Sequence, residues 1–92
     1  MILSFGCKKT EKLFNDESVK EFRPFEDKAR IKLEILDNAA VYDDLRFPPS
    51  NKLHALTGKD KEYDAIWINK QWRIKFIWTD SGPKKVQITD YH

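Results

Sequence analysis

The sequence predicts an α+β fold, with two N-terminal helices packed on one face of a twisted, mainly antiparallel sheet, in the order β-α-α-β-β-β-β. Three observations predict it. Phe25, Ala29, Leu33 and Leu36 fall at intervals of four and three, which marks one face of an α-helix. From residue 52 onward the pattern changes to short β-rich runs separated by turn residues. Within one of these runs, Trp72, Ile74, Phe76 and Trp78 alternate with Arg73, Lys75, Ile77 and Thr79, so one face of that strand is uniformly apolar. An antiparallel sheet covered by helices on one side leaves its other side to solvent. Arg73 and Lys75 are therefore predicted on the open face.

Each element follows in order. Ile2, Leu3 and Phe5 suggest a short opening strand closed by Gly6, and Lys8–Asn15 reads as a short amphipathic stretch. Ser18 and Glu21 have capping-box spacing, and Pro24 suits the first position of a helix, where a missing N–H costs nothing. The main helix is placed at about residues 24–39, with Lys28, Lys32 and Glu34 on its polar side. Val41–Arg46 reads as an irregular or 3₁₀ turn. Phe47-Pro48-Pro49-Ser50 is a stiff loop, since each proline disfavours helix in the residue before it. Residues 52–56, 63–68, 72–79 and 86–92 supply four strands. Asn69-Lys70-Gln71 has hairpin length, and Asp80-Ser81-Gly82-Pro83 is a turn signal.

Ninety-two residues suffice for one domain, 1–92, and not for two separate cores. The net charge of +2 does not by itself indicate nucleic-acid binding. Its distribution is more informative: Lys and Arg outnumber Asp and Glu by eight to five in residues 51–92, against nine to ten in residues 1–50. A local excess of positive charge attracts phosphate even on a nearly neutral chain. The single cysteine, Cys7, excludes an internal disulfide and a thiolate-rich metal site. No basic leader and no apolar run of membrane-spanning length is present, so a cytoplasmic protein without a membrane partner is expected.

Two histidines, His54 and His92, fall on predicted strands of the basic half. RNA can be cut without a metal when its own 2′-hydroxyl attacks the adjacent phosphate, which needs a base, an acid and a cation at the phosphate. Histidine suits the proton transfers, Arg73 can grip two phosphate oxygens, and Tyr91 can stack on a base or donate its hydroxyl. Each has a plainer alternative. His54 alone reads more readily as a hydrogen-bonded surface histidine, and Arg73 as a cross-strand partner of Asp64 or Asp90. The Trp72/Phe76/Trp78 stripe reads as core. His54, Asp90 and His92 are acceptable zinc ligands, but no HExxH, close histidine pair or cysteine cluster accompanies them. No Gly-rich phosphate loop and no GxSxG elbow is present. On the residues alone the chemistry stays open.

A larger pattern narrows it. Ile2-Leu3-Ser4-Phe5, Asn51-Lys52-Leu53-His54-Ala55-Leu56, Ile66-Trp67-Ile68-Asn69-Lys70-Gln71-Trp72-Arg73-Ile74 and Thr89-Asp90-Tyr91-His92, in this order and spacing, resemble the HigB toxins of the RelE/ParE superfamily. The resemblance covers essentially the whole chain. It implies a RelE-like fold, cleavage of mRNA in the A site of the 70S ribosome without a metal or other cofactor, and suppression by a helix-turn-helix antitoxin of the HigA type. Operator DNA would be met only through that antitoxin. Carried over by position, His54, Arg73, Asp90, Tyr91 and His92 match catalytic residues of the family, with either histidine as base. Lys52, Lys59, Trp67 and Lys75 are expected to contact RNA. Trp67 departs from the basic or small polar residue of many relatives. A ParE-like gyrase poison shares the fold, but does not need the His54/His92 pair. A degenerate toxin without activity would not need the full set.

Overall fold

The computed structural model describes residues 1–91. Two helices, α1 (Lys8–Phe14) and α2 (Glu26–Asn38), pack against a four-stranded antiparallel sheet of β1 (His54–Ala55), β2 (Asp64–Trp67), β3 (Trp72–Thr79) and β4 (Gly82–Asp90). The strands lie in sequence order, as hairpin connections dictate.

The predicted apolar faces meet between the two layers. Ala29, Leu33 and Leu36 of α2 and Leu13 of α1 are buried against Ile66, Ile74, Phe76, Val86 and Ile88 of the sheet. Phe25 and Trp72 close one end, with ring centroids 4.8 Å apart. Thr10 is the polar tie between layers. Its fully buried hydroxyl accepts the Ile88 amide at 2.9 Å, which satisfies a β4 donor that faces the helices.

Several expectations are corrected. The opening residues form no strand, and among the described residues their only bridge to the sheet is a parallel one between Phe5 and Val86. The reason lies in β4. Pro83 has no N–H, and Lys85 sits at φ +52 in a bulge, where its amide turns to Ser4 Oγ at 2.9 Å instead of a backbone carbonyl. A regular ladder cannot form there, and the segment is held by Leu3 and Gly6 amides donating to Pro83 and Val86 carbonyls. Gly82, at φ +132, allows this approach, since a Cβ would collide with the Met1 carbonyl.

Pro24 does not open the main helix. It lies inside a 3₁₀ turn, Lys20–Phe25, and the α-helix begins at Glu26. Ser18 and Glu21 form no capping box; Ser18 accepts from Arg23 and Glu21 pairs with Lys9 at 2.6 Å. The strand expected over 52–56 shortens to His54–Ala55, because Lys52 takes a left-handed conformation (φ 47, ψ 48) that no strand continues through. The last strand instead begins earlier, at Gly82, since only Asp80 and Ser81 are needed for the turn. Lys32, expected on the polar side of α2, is buried at 4% exposure.

Candidate active site

The register of the sheet decides which side chains share the face turned away from the helices. Trp67 pairs with Arg73, and Arg73 with Thr89. In the next row His54 pairs with Ala65, Ala65 with Lys75, and Lys75 with Gln87. Lys52 and Tyr91, just outside the strands, reach the same face through their contacts with Trp67 and Arg73. His54 thus stands two strands and one row from Arg73. Ala65 has the smallest side chain in its row, and the surface there is concave.

Two adjoining hollows result. One, of about 390 Å³, is lined by Lys52, His54, Trp67, Arg73 and Tyr91. The other, of about 270 Å³, has Thr57, Asp60, Ala65, Lys75 and Asp90 among its walls. Arg73 and Tyr91 belong to both and form the ridge between them.

A row of alternating cations and rings crosses the site. Lys52 Nζ lies 4.8 Å from the Trp67 ring centroid, the Arg73 guanidinium carbon 3.9 Å from the same centroid, and 4.6 Å from that of Tyr91. Each contact aligns a positive charge with the negative face of an aromatic ring. The sequence expectation of an exposed Arg73 is corrected by this stacking: it lies on the predicted face but is only 5% exposed, because two rings cover it. Trp67 does lie beside Arg73, and its ring engages cations.

Arg73 is also anchored along its edge. Nη1 donates to the carbonyls of Asn69 at 2.6 Å and Lys70 at 2.7 Å, both in the β2–β3 hairpin. Its Nε is buried without a hydrogen-bond partner among the described residues. Burial pushes the guanidinium below its ordinary value, and the neighbouring Tyr91 opposes the shift. The group stays charged, since arginine keeps its proton across the physiological range.

His54 has one ring nitrogen engaged. Nδ1 lies 2.8 Å from the Lys52 carbonyl, which can only accept, so Nδ1 carries the proton in the neutral ring. Nε2 is thereby left with a lone pair. Lys52 makes this possible through its left-handed backbone, a conformation that costs a non-glycine residue about 1 kcal/mol or more.

The other expected residues are placed as follows. Asp90 accepts from Gln71 Nε2 at 3.2 Å. Tyr91 is held through its amide, which donates to the Gln71 carbonyl at 2.7 Å, and the residue is 58% exposed. Lys75 packs over the Tyr63 ring and approaches Asp60 at 3.4 Å. Lys59 is exposed in the 3₁₀ turn Gly58–Asp60 and lines neither hollow. His92 lies outside the described residues.

Sequence reasoning missed the residues that support these groups. Asn69 Oδ1 accepts the amides of Gln71 and Trp72, which shapes the hairpin whose carbonyls anchor Arg73. Its position in a short hairpin loop was the available signal, since asparagine there bonds its own backbone. Lys32 and Asn51, buried and joined at 2.6 Å, had no signal at all in the periodicity.

Comparison with known proteins shows the family. A family model described as RelE-like toxin of type II toxin-antitoxin system HigB matches residues 3–92. The chain is also similar to Toxin HigB-1 of Vibrio cholerae serotype O1 (strain ATCC 39315 / El Tor Inaba N16961), at 39% identity over 82 residues, covering 87% of this chain and 86% of the relative. The family match takes in both helices, all four strands and every residue of the two hollows, and the chain belongs to the HigB-like, RelE-type toxins of type II toxin-antitoxin systems, which act opposite a cognate antitoxin.

Proposed function

We propose that this toxin is a metal-independent endoribonuclease that cuts mRNA in the ribosomal A site and so arrests translation, and that a helix-turn-helix antitoxin of the HigA type restrains it. The observation that carries the reading is the convergence of Lys52, His54, Trp67, Arg73 and Tyr91 on one hollow. A base with a bare nitrogen faces a cluster of cations there, and that combination suits phosphodiester cleavage.

In the proposed step, His54 Nε2 takes the proton of the 2′-hydroxyl as its oxygen attacks phosphorus. The bond from phosphorus to the 5′-oxygen breaks, and that oxygen receives a proton from His92, a role assigned by family resemblance. The products are a 2′,3′-cyclic phosphate and a free 5′-hydroxyl. Arg73, which lines both hollows, stabilises with its positive charge the negative charge gathered on the phosphoryl oxygens. Lys52 and Lys75 draw the RNA backbone, Tyr91 offers its exposed ring to a base, and Asp90 orients the chain end. Lys59 contacts RNA from the neighbouring turn.

The test is induction of the wild type, His54→Ala and Arg73→Ala in growing bacteria, with mapping of new mRNA 5′ ends. Cleavage inside translated frames is expected from the wild type alone, with cyclic phosphate on the upstream fragment. Growth arrest with intact mRNA, or 5′-phosphate products, would overturn the proposal.

A further inference from the structure

Behind the site, on the helical side of the chain, lies a buried polar node that the proposed chemistry does not use. Lys32 of α2 donates from Nζ to Asn51 Oδ1 at 2.6 Å and to Ser50 Oγ at 3.1 Å. Asn51 is fully buried, and its amide nitrogen donates to the carbonyls of Leu45 and Phe47 at 3.0 and 3.1 Å. Among the described residues, Lys32 makes no ion pair. Burial, then the charge of Lys28, lowers its pKa.

An ammonium taken out of water and met only by neutral acceptors is a poor source of stability; a methionine of similar length would serve the core as well. What the lysine does supply is direction. It fixes Asn51, and Asn51 ties its loop to the Leu45 and Phe47 carbonyls. The next residue, Lys52, is the one in the left-handed conformation, and its carbonyl receives His54 Nδ1. Two residues, Lys52 and Leu53, separate Asn51 from His54, and backbone bonds from Asn51 and Lys52 to the Pro48 and Pro49 carbonyls hold the turn that leads into them.

We infer that Lys32 and Asn51 are positioning residues that set the tautomer and direction of His54 through the Lys52 carbonyl, without touching the substrate. The inference rests on the proposed role of His54 as base. Nothing in the node approaches either hollow, so its effect must pass through the backbone.

The test uses the full chain. Nitrogen NMR of the His54 ring, assigned with His54→Gln, reports which nitrogen carries the proton. The wild type is expected to hold the Nδ1–H form. Lys32→Met is expected to move the ring toward the Nε2–H form that free histidine prefers. Its single-turnover cleavage on programmed ribosomes should fall about 10- to 100-fold with half-saturation nearly unchanged, as a displaced catalytic group requires. Lys32→Gln, which keeps a neutral donor, should restore part of both. A wild-type His54 signal in folded Lys32→Met overturns the inference. Where that variant does not fold, Asn51→Asp decides by the same reading, since it keeps an acceptor for Lys32 and removes both amide donors. A wild type that cuts no mRNA would defeat the proposed nuclease, and the ring measurement would still decide the positioning.

Discussion

Replacing Asn51 by leucine is the perturbation whose cost can be worked most directly. Leucine keeps the branching and the number of side-chain heavy atoms of asparagine, so the loss to be weighed is the polar one. Two carbonyls, of Leu45 and Phe47, lose their donor, at about 1 kcal/mol each. The charge-assisted bond from Lys32 is shorter, and its loss costs about 1.5–3 kcal/mol because the buried ammonium keeps only Ser50. Burial of the added apolar surface offsets about 1 kcal/mol. The net loss is roughly 2.5–4 kcal/mol, a large share of the ~5–14 kcal/mol that a chain of this size commands. For a domain of this length each kcal/mol lowers the melting midpoint by about 4–8 °C, so the shift is on the order of 10–30 °C. Urea and thermal unfolding followed by circular dichroism measure it, with Ser50→Ala as a control expected to lose under about 1 kcal/mol. An Asn51→Leu loss below about 1 kcal/mol would refute the reasoning, by showing that the node relaxes or that water replaces the amide.

Two further outcomes follow from other parts of the molecule. Tyr42 is pushed up to about 12, first by burial and then by the bond its hydroxyl donates to Asp64 at 2.8 Å. A phenol whose folded value is raised contributes stability that is complete below its unfolded value, near 10, and is lost as pH rises from there through 12. At pH 10 the tyrosinate absorbance of the wild type minus that of Tyr42→Phe should therefore be close to zero; a half-ionised residue at that pH would contradict the assignment. Trp67 holds two cations, each contact worth ~0.5–2 kcal/mol, so Trp67→Ala should reduce mRNA cleavage about 10-fold while Trp67→Phe keeps most of it. Undiminished cleavage by Trp67→Ala would remove the ring from the site.

The layers of this fold were legible because they rest on local periodicity. The apolar face of Ala29, Leu33 and Leu36 and the alternation from Trp72 to Thr79 required only that helices and strands repeat at 3.6 and 2 residues, and both faces are buried where that repeat puts them. The same parity put Arg73 and Lys75 on the face away from the helices. What periodicity could not supply was pairing. The opening segment failed to become a strand because of two residues eighty positions away, Pro83 and Lys85, whose backbone refuses a regular ladder. Lys32 sits on the polar side of α2 by spacing, yet a loop folds over it and turns it into a buried anchor.

The candidate site divides along the same line. The identities of His54, Arg73, Asp90 and Tyr91 were readable from the chain, since they are residue types with a known chemistry in a recognisable order. Only the tertiary structure decided that Arg73 is sheathed by two rings, that Lys52 gives its carbonyl to His54, and that an asparagine and a lysine stand behind them. The sequence by itself determined which groups are available and on which face of an element they lie, because those properties are local. The structure decided burial, tautomer and anchoring, because each depends on atoms brought together by chain segments that carry no information about one another along the sequence.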